Sequence, residues 1–581
     1  MNIAERTVGA ALRGRPWFVS ADRLHLMRLE VGPTSSHFFL LNAQGKVGIQ
    51  LTDKVKTKYG LLLSIVVTLF IAPQVIHAQN PPAFFTHSEL VALYEQDPLP
   101  DELRLKLERL VTTPLVNNAA QARGVQPMKP VVSNLGRVLR MASWNIERGL
   151  NFNAVRAALL GADRFSSFVD SKSKNRLEIL QQASVLRQAD VIVLNEVDWG
   201  LKRTAYRDVA RDLANALGMN YAYGVEFVEV DPLVLGTETF EGVNDPTERA
   251  ALMKESAIDQ ARSRNLHGTA ILSRYPLSNV RLIPFKYQGY DWYAEEKKKI
   301  SKLEEARRKG AAFVFDETIA REVRRGGRMM LLADIEDADL PGGRVTILAT
   351  HLEDKVKPEG RVKQLEEVLS QIKDIANPVI VAGDMNTNGM DAAPTSFKRA
   401  IKHRLGSGSF WVNRGIKYAT GVGLLYDVSL GAFKTLRTWN DPTVKSVKFV
   451  SENPEEKFFE KLKEFRFSDG GAFDFRGLKS FSTGESEDTL SDSNERASKG
   501  FVPTFSLEGK VDFDFKLDWF FVKPVGLTDP DDRNQPFNFA PAFGRTLRAL
   551  NESIKDRISD HNPITVELPL GKPKLDTATS N

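Results

Sequence analysis

The sequence predicts an α/β domain whose sheets are covered by helices. Short apolar segments typical of buried strands alternate along the chain with segments whose apolar residues recur at helical spacing. Several strand segments also end in a carboxylate, an amide or a histidine. The clearest is the run 378–382, which is β-branched at its centre and is followed by Gly383-Asp384-Met385-Asn386. Polar groups delivered at strand ends commonly form a site on a rigid scaffold, so function is expected there.

The expected elements follow in chain order. Thr86-His87-Ser88-Glu89 has the pattern of a capping box at a helix start, and residues 101–111 have helical apolar spacing. Further helices are predicted at 174–189, 206–217 and 361–376. Strands are predicted at 137–146, 190–194, 221–230, 268–274, 328–335, 344–350, 378–383, 516–522 and 564–568. The strands at 328–335 and 344–350 could form a hairpin across Leu340-Pro341-Gly342-Gly343.

Composition excludes some kinds of site. The chain has 581 residues, 42% of them hydrophobic, and no cysteine, so neither disulfides nor a thiolate metal site are possible. Residues 1–78 contain nine of the 79 basic residues and four of the 74 acidic residues, so 70 of each remain. The net charge of +5 therefore belongs to the leader, and net charge gives no support for non-specific binding of nucleic acid.

The segment 54–78 has the layout of a secretory signal peptide. Lys54, Lys56 and Lys58 precede an apolar run at 61–72, and small and polar residues follow. We therefore expect an exported protein, periplasmic or extracellular. The alternative is an uncleaved membrane anchor at 60–78, although this run is short for a span of roughly 20 residues. Residues 1–53 are interpreted as an over-long start or a disordered leader.

The remaining chain is divided by composition. Residues 79–136 are predicted to form a helical arm and linker, residues 137–570 the main domain, and residues 571–581 a tail. Long inserts are expected near 285–327 and 388–500. Within them, 482–498 is polar without apolar periodicity and is expected to be solvated or mobile. The aromatic stretch 287–293, with Trp292, could be an exposed lipid-facing loop or could pack internally.

The candidate site residues form an oxygen-rich set with two histidines: Asn145, Glu196, His351, Asp384, Asn386, Asp518, Asp560 and His561. Carboxylates and amides suit Mg²⁺ or Mn²⁺ better than zinc. No serine or cysteine nucleophile motif is present, which favours hydrolysis of a phosphate ester over acyl transfer. Asp384 and Asn386 could instead be simple turn formers. Glu147 and Asp198 could each support a neighbouring site residue or be a charge at the surface. His267 and Arg274 are expected to have structural rather than catalytic roles.

Seven motifs carry a resemblance, and they occur in one order along residues 139–568. They are Trp144-Asn145, Asn195-Glu196, the stretch 268–276, Thr350-His351-Leu352, Gly383-Asp384-Met385-Asn386, Leu517-Asp518-Trp519 and Ser559-Asp560-His561. In this order the set resembles the endonuclease/exonuclease/phosphatase superfamily, which includes DNases, apurinic-site endonucleases, sphingomyelinases and inositol-polyphosphate phosphatases. The resemblance implies a four-layer α/β/β/α sandwich of two packed mixed sheets.

The resemblance also implies a role for each candidate. Glu196 would be the principal metal ligand, with Asp560 and Asn145 completing the metal environment. Asp384 would orient or deprotonate the attacking water, and Asn386 would support the transition state. His561 would contact the scissile phosphate, with Asp518 holding its tautomer, and His351 would bind a phosphoryl oxygen. The implied substrate is a nucleic acid, a phospholipid or an inositol phosphate, with no obligate protein partner. The alternative is a catalytically inactive member that serves as an exported binding or scaffold module.

Overall fold

The computed structural model describes residues 82–241, 245–298, 322–387, 446–447, 451–452, 455–484, 487–497, 500–507, 513–552 and 557–574, and three amino-terminal segments. The chain forms two compact units, Met1–Gln79 and Asn80–Asn581. In the first unit, Leu26–Glu30, Ser36–Leu41 and Val47–Ile49 pair antiparallel in that order. No helix among the described residues is long and apolar enough to span a bilayer. The predicted signal peptide or anchor at 54–78 lies outside the described residues.

Two large sheets dominate the second unit. In chain order, their strands are β1 Gly136–Arg148, β2 Val191–Trp199, β3 Asn220–Glu229, β4 Leu266–Ser273, β5 Leu277–Pro284, β6 Arg324–Gly326, β7 Met329–Glu336, β8 Arg344–His351, β9 Val379–Asp384, β10 Asp518–Lys523, β11 Ala542–Thr546 and β12 Ile564–Pro569. The larger sheet has the order β6-β3-β4-β2-β1-β12-β11, and the smaller one β5-β7-β8-β9-β10. The pairs β1/β2 and β8/β9 are parallel and the other neighbours are antiparallel, so both sheets are mixed.

Shorter strands extend these sheets or form small hairpins. Leu115–Asn117 pairs with β3 and Val131–Val132 with β1. Three hairpins join Ser446–Val447 to Ser451–Glu452, Arg496–Ala497 to Gly500–Phe501, and Phe505–Leu507 to Phe513–Phe515.

The helices surround the sheets. They are His87–Glu95, Asp101–Thr112, Ala119–Ala122, Phe152–Leu160, Ala162–Phe165, Arg176–Arg187, Val209–Leu217, Pro232–Leu235, Pro246–Ser256, Trp292–Lys297, Pro358–Ile372 and Glu456–Glu464, with 3-10 turns at Ser166–Phe168, Lys202–Thr204, Pro341–Gly343 and Arg548–Glu552. The predicted capping box is present, because the Thr86 side chain accepts from the Glu89 N–H and Glu89 accepts from the Thr86 N–H.

Three apolar cores define four layers. Between the sheets, Val193 of the larger sheet belongs to the same cluster as Ile347 and Ile380 of the smaller one. A second cluster packs helices such as Val209–Leu217 on the outer face of the larger sheet, and a third packs Pro358–Ile372 and Glu456–Glu464 on the smaller sheet. The predicted α/β/β/α sandwich is confirmed. Continuous apolar strands are expected in such a fold because both faces of each sheet are covered.

The predicted inserts contribute to the packing of the sandwich. Helix Glu456–Glu464 buries Phe458 and Phe459 against the smaller sheet. The expectation of a solvated segment at 482–498 is wrong for much of that range, where Leu490, Ser491 and Asp492 are buried. Hydrogen bonds to the rest of the domain, rather than a periodic apolar face, explain why this segment is buried. For example, the Asn494 side chain donates to the Phe520 carbonyl and accepts from the Phe520 N–H, each at 3.1 Å.

Candidate active site

The candidate residues meet at one end of the two packed sheets. In the smaller sheet, His351 of β8 pairs with Asp384 of β9, and Asp384 pairs with Asp518 of β10. In the larger sheet, Asn145 of β1 pairs with Asn195 of β2. Parallel neighbours end at the same edge, so β1 and β2 present their carboxyl ends together, as do β8 and β9. The strand ends therefore bring together side chains that are far apart in the sequence.

Asn145 connects the two sheets directly. Its Nδ2 donates to Glu196 Oε1 at 3.2 Å and to Asp384 Oδ2 at 3.1 Å. Its Oδ1 accepts the Glu147 N–H at 3.0 Å, which fixes the amide orientation. A buried amide held at three points is a rigid spacer between two carboxylates.

Strands β1 and β2 of the larger sheet each contain a bulge close to Asn145 and Glu196. The β1/β2 register shifts between Asn145 and Arg148, and the β2/β4 register shifts between Leu194 and Val197. Glu147, Arg148 and Glu196 accordingly have positive φ angles of 48°, 63° and 51°. Such non-glycine conformations are uncommon and cluster at functional sites. Glu196 thus lies inside a strand that continues to Trp199, beyond the predicted end at 194.

His561 is paired with Asp518. The Nδ1 of His561 lies 2.7 Å from Asp518 Oδ2, and both side chains are fully buried. Among the described residues, Nε2 of His561 has no hydrogen-bond partner, and it lies 3.6 Å from Asp384 Oδ2. Burial lowers the pKa of His561, but the carboxylates of Asp518 and Asp384 outweigh burial and raise it to about 10. His561 is therefore a cation at neutral pH.

Asp384 is at the centre of the cluster. Its backbone N–H donates to Asn195 Oδ1 at 3.0 Å, and its Oδ1 accepts the Asn386 N–H at 2.9 Å. Burial, together with the nearby Asp518 charge, raises the pKa of Asp384 to about 7, although His561 opposes the shift. A carboxyl group with this pKa can accept a proton near neutral pH.

His351 is neutral and has one defined tautomer. The Arg328 Nη1, which can only donate, lies 2.7 Å from Nδ1 of His351, so Nδ1 accepts and Nε2 carries the proton. Burial and then the Arg328 charge hold the pKa of His351 well below its ordinary value. Nε2 lies 3.5 Å from Asp384 Oδ2. Glu226 Oε2 accepts from the same Arg328 nitrogen at 2.9 Å.

Glu196 and Asp560 are close enough to interact. Burial and then the Asp560 charge raise the pKa of Glu196, while Arg148 acts in the opposite direction. The Asp560 N–H donates to Glu147 Oε2 at 3.1 Å, which ties the two site loops together. The two neighbouring carboxylates offer oxygen ligands, and their mutual repulsion would be relieved by a hard divalent cation.

A second acidic cluster lies beside this one. Ligand atoms of Asp384, Asp518 and His561 lie within 4.8 Å of one another. Because the Nδ1 of His561 is bonded to Asp518 and the raised pKa keeps the ring protonated, His561 is poorly suited to bind a metal. The geometry at this second cluster favours proton handling.

The remaining predicted residues have other partners. Asn386 donates its amide to the Leu352 carbonyl at 2.9 Å. His267 and Arg203 both bind Asp198, at 3.0 and 2.6 Å, so Asp198 is an internal ion partner. Trp292 is buried and donates to Glu353 at 2.8 Å, which places it inside the protein.

Sequence reasoning missed the cations around the site. Arg328 precedes β7, and its contacts to His351 and Glu226 cross between strands, so no local motif reveals them. Arg148 and Arg324 both bind Glu322 in a buried ion cluster. Arg148 follows the Trp144-Asn145 motif closely, which was the only available signal.

Comparisons with solved structures return proteins of low sequence identity. An endonuclease/exonuclease/phosphatase from Beutenbergia cavernae DSM 12333 is 17% identical, with 75% of this chain and 72% of that chain covered and a TM-score of 0.29. Truncated Caenorhabditis elegans TDP2 is 12% identical, with 74% and 97% covered and a TM-score of 0.30. A 3'-5' exonuclease from Neisseria meningitidis is 11% identical, with 74% and 99% covered and a TM-score of 0.33.

Sequence comparison gives a family assignment. No curated protein matches the chain significantly. The profile described as the Endonuclease/Exonuclease/phosphatase family matches residues 142–561, which include every candidate site residue. The chain belongs to the Endonuclease/Exonuclease/phosphatase family.

Proposed function

We propose that the protein is a Mg²⁺- or Mn²⁺-dependent hydrolase of phosphate esters that cleaves diesters by in-line attack of water. Its family acts typically on phosphate esters. The observation that carries the proposal is the convergence on Asp384 Oδ2, which accepts from Asn145 at 3.1 Å and lies 3.5 and 3.6 Å from His351 and His561. A potential base thus lies between two histidine donors.

Glu196 and Asp560 would hold the metal. Asn145 would lie beside it and position Glu196 through Nδ2, because its Oδ1 is bonded to the Glu147 N–H. Carboxylate oxygens are the ligands that a hard cation prefers. Burial, together with the Asp560 charge, raises the pKa of Glu196, and a bound divalent cation would favour its ionised form. When bound, the ion supplies charge neutralisation for the phosphate and acidifies a water ligand.

The protein groups divide the proton chemistry between them. Asp384, with a pKa of about 7, orients the attacking water and accepts its proton. His561 is protonated at neutral pH and directs Nε2–H into the site, where it stabilises negative charge that develops on the phosphoryl oxygens. His351 donates from Nε2 as a neutral imidazole. Asn386 serves mainly by holding Asp384, because its own amide is bonded to the backbone.

The substrate that we propose is a nucleic acid, a phospholipid or an inositol phosphate. Because Trp292 is internal, it supplies no lipid-facing surface. We also propose that the protein is exported, or is anchored to a membrane through residues 60–78.

The test is a substrate panel with the purified protein, with and without Mg²⁺ or Mn²⁺. Diester hydrolysis should require added metal and stop with EDTA. Glu196→Ala, Asp384→Ala and His561→Ala should each lower turnover by about a hundredfold or more. Asp531→Ala, a half-exposed carboxylate paired with Lys463, is the matched control. Wild-type turnover in any two of the three site variants would contradict these roles.

A further inference from the structure

The second unit also contains a cavity that none of the candidate site residues lines. It has a volume of about 380 Å³ and is lined by residues 149–154 and 203–205 with Phe168 and Arg207. Small-molecule sites typically have volumes of roughly 300–1,000 Å³, so the cavity can hold one small ligand or one unit of a larger one.

The residues that line the cavity follow two candidate site residues closely along the chain. Gly149 lies four residues beyond Asn145, past the bulge of β1. Arg203 binds Asp198 through Nε at 2.6 Å, and Asp198 lies two residues beyond Glu196. The segments that follow β1 and β2 therefore lead from the candidate site residues into the walls of the cavity within four and seven residues.

Arg207 gives the cavity an anion-binding group. Its guanidinium lies 4.6 Å from the centroid of the Phe152 ring, and within the described part of the chain it has no ion-pair partner. Stacking on an aromatic ring holds the guanidinium plane while leaving its N–H edge available, which is the arrangement that suits phosphate. Arg203 is anchored to Asp198 and Glu229, and its Nη1 has no hydrogen-bond partner among the described residues.

The amino-terminal end of helix Phe152–Leu160 adds to this anion preference. Residues 151–154 line the cavity, and the Asn151 side chain does not cap the helix. The first turn of this nine-residue helix therefore lines the cavity together with Arg207, and the amino-terminal end of a helix favours negative charge.

Phe168 gives the cavity a flat apolar wall. Its ring is half-buried and stacks on Phe165, with centroids 6.0 Å apart and planes 15° apart. A ring supported from behind can accept a second planar ring, and stacking of a base on an aromatic side chain is tolerant of which base is present. A saturated inositol ring lacks such a face, and an acyl chain would not use the cation.

We propose that this cavity is a binding site for a nucleoside monophosphate unit, with the phosphate at Arg207 and the helix end and the base against Phe168. The unit is either the nucleotide next to the scissile phosphate or a free mononucleotide. As a subsite for substrate, it rests on the hydrolase function proposed above.

The experiment uses the full chain and three variants. Arg207→Gln removes the cation, and Phe168→Leu keeps apolar bulk but removes the ring. Arg211→Gln is the control, because Arg211 is exposed, lies on helix Val209–Leu217 and does not line the cavity. Binding of adenosine 5'-monophosphate is measured by calorimetry, and hydrolysis with metal is measured on a diadenosine 3',5'-phosphodiester and on methyl 4-nitrophenyl phosphate.

If the flanking nucleotide of the substrate occupies the cavity, both cavity variants raise KM for the dinucleoside diester by about tenfold and leave kcat/KM for the small diester within about twofold. If a free mononucleotide occupies it, the variants weaken adenosine 5'-monophosphate binding by a similar factor while the diester KM is unchanged. The inference is overturned if both variants match Arg211→Gln in every measurement, or if they impair both diesters equally. If the wild type hydrolyses neither diester, the hydrolase proposal is overturned instead. The measurement of adenosine 5'-monophosphate binding would still test the cavity.

Discussion

The Asp518 carboxylate lies 2.7 Å from Nδ1 of His561 and joins the first residue of β10 in the smaller sheet to the segment that leads into β12 in the larger sheet. This contact fixes the imidazole so that Nε2 points toward Asp384, 3.6 Å away. The pair therefore combines a structural link between sheets with control of a proton donor.

Asp518→Asn should lower turnover by about a hundredfold, because the amide cannot stabilise the imidazolium charge. The pKa of His561 should fall from about 10 toward its ordinary value, as measured by NMR titration of the ring. Asp531→Asn is the control, since that carboxylate pairs at the surface with Lys463. An unchanged His561 titration would show that Asp518 is not the main source of the shift.

Arg328→Lys should disturb the tautomer of His351. Arg328 uses one nitrogen to contact both His351 and Glu226, at 2.7 and 2.9 Å, and an ammonium group on a flexible stem does not reproduce a planar fork. We expect a mixture of the two neutral tautomers in nitrogen-15 NMR spectra and about a tenfold loss of turnover. Arg325→Lys, three residues earlier on β6 and bonded to the amino-terminal arm, should leave both quantities unchanged.

Lys516→Met should stabilise the protein near neutral pH. Burial lowers the pKa of Lys516 to about 7, although Asp518 and Glu495 oppose the shift, and its Nζ has no hydrogen-bond partner among the described residues. Between pH 7 and 10.5 the unfolded chain binds more protons at this site than the folded protein, so the wild type gains stability as pH rises.

The methionine variant lacks this penalty. Its advantage in free energy of unfolding should be largest at pH 7 and below, on the order of a few kcal/mol, and should shrink as pH approaches 10.5. Denaturant melts at pH 7 and pH 10 measure the difference, with Lys463→Met as the exposed control. A difference that does not change with pH would rule out this origin.

Gly383→Ala should prevent stable folding or cost several kcal/mol. Gly383 has a φ of 138°, and an added Cβ would lie 2.0 Å from the Thr350 carbonyl oxygen, a backbone atom of the neighbouring strand. Gly342→Ala is the matched comparison, because Gly342 also has a positive φ, of 63°, but an added Cβ would meet no atom within 4 Å. The Gly342 variant should lose only about 1 kcal/mol by thermal or denaturant unfolding. Equal losses would mean that steric contact is not the cause.

The sequence indicated the sheets and the strand ends because these depend on local pattern. Val379–Asp384, for example, is a continuous apolar run that ends in the glycine and carboxylate of the site. The helix that precedes this strand was predicted to begin at 361, but it begins at Pro358. Proline is well tolerated in the first turn of a helix. These features need only a few neighbouring residues to define them.

Features that depend on another strand could not be predicted in this way. The bulge that gives Glu196 a positive φ arises from the register with β4, and the neutral state of His351 arises from Arg328. Asn494 lies in a segment without apolar periodicity, and only the backbone of Phe520 explains its burial. In each case, the decisive partner lies more than twenty residues away along the chain.

The amide of Asn145 spans the seam between the two sheets, and this has a consequence for how the site can fail. A displacement of one sheet relative to the other by a fraction of an ångström would separate Glu196 from Asp384 without breaking a hydrogen bond within either sheet. The alignment of Glu196 with Asp384 therefore depends on the apolar side chains packed between the two sheets. We expect substitutions there to lower the proposed activity while each sheet stays folded.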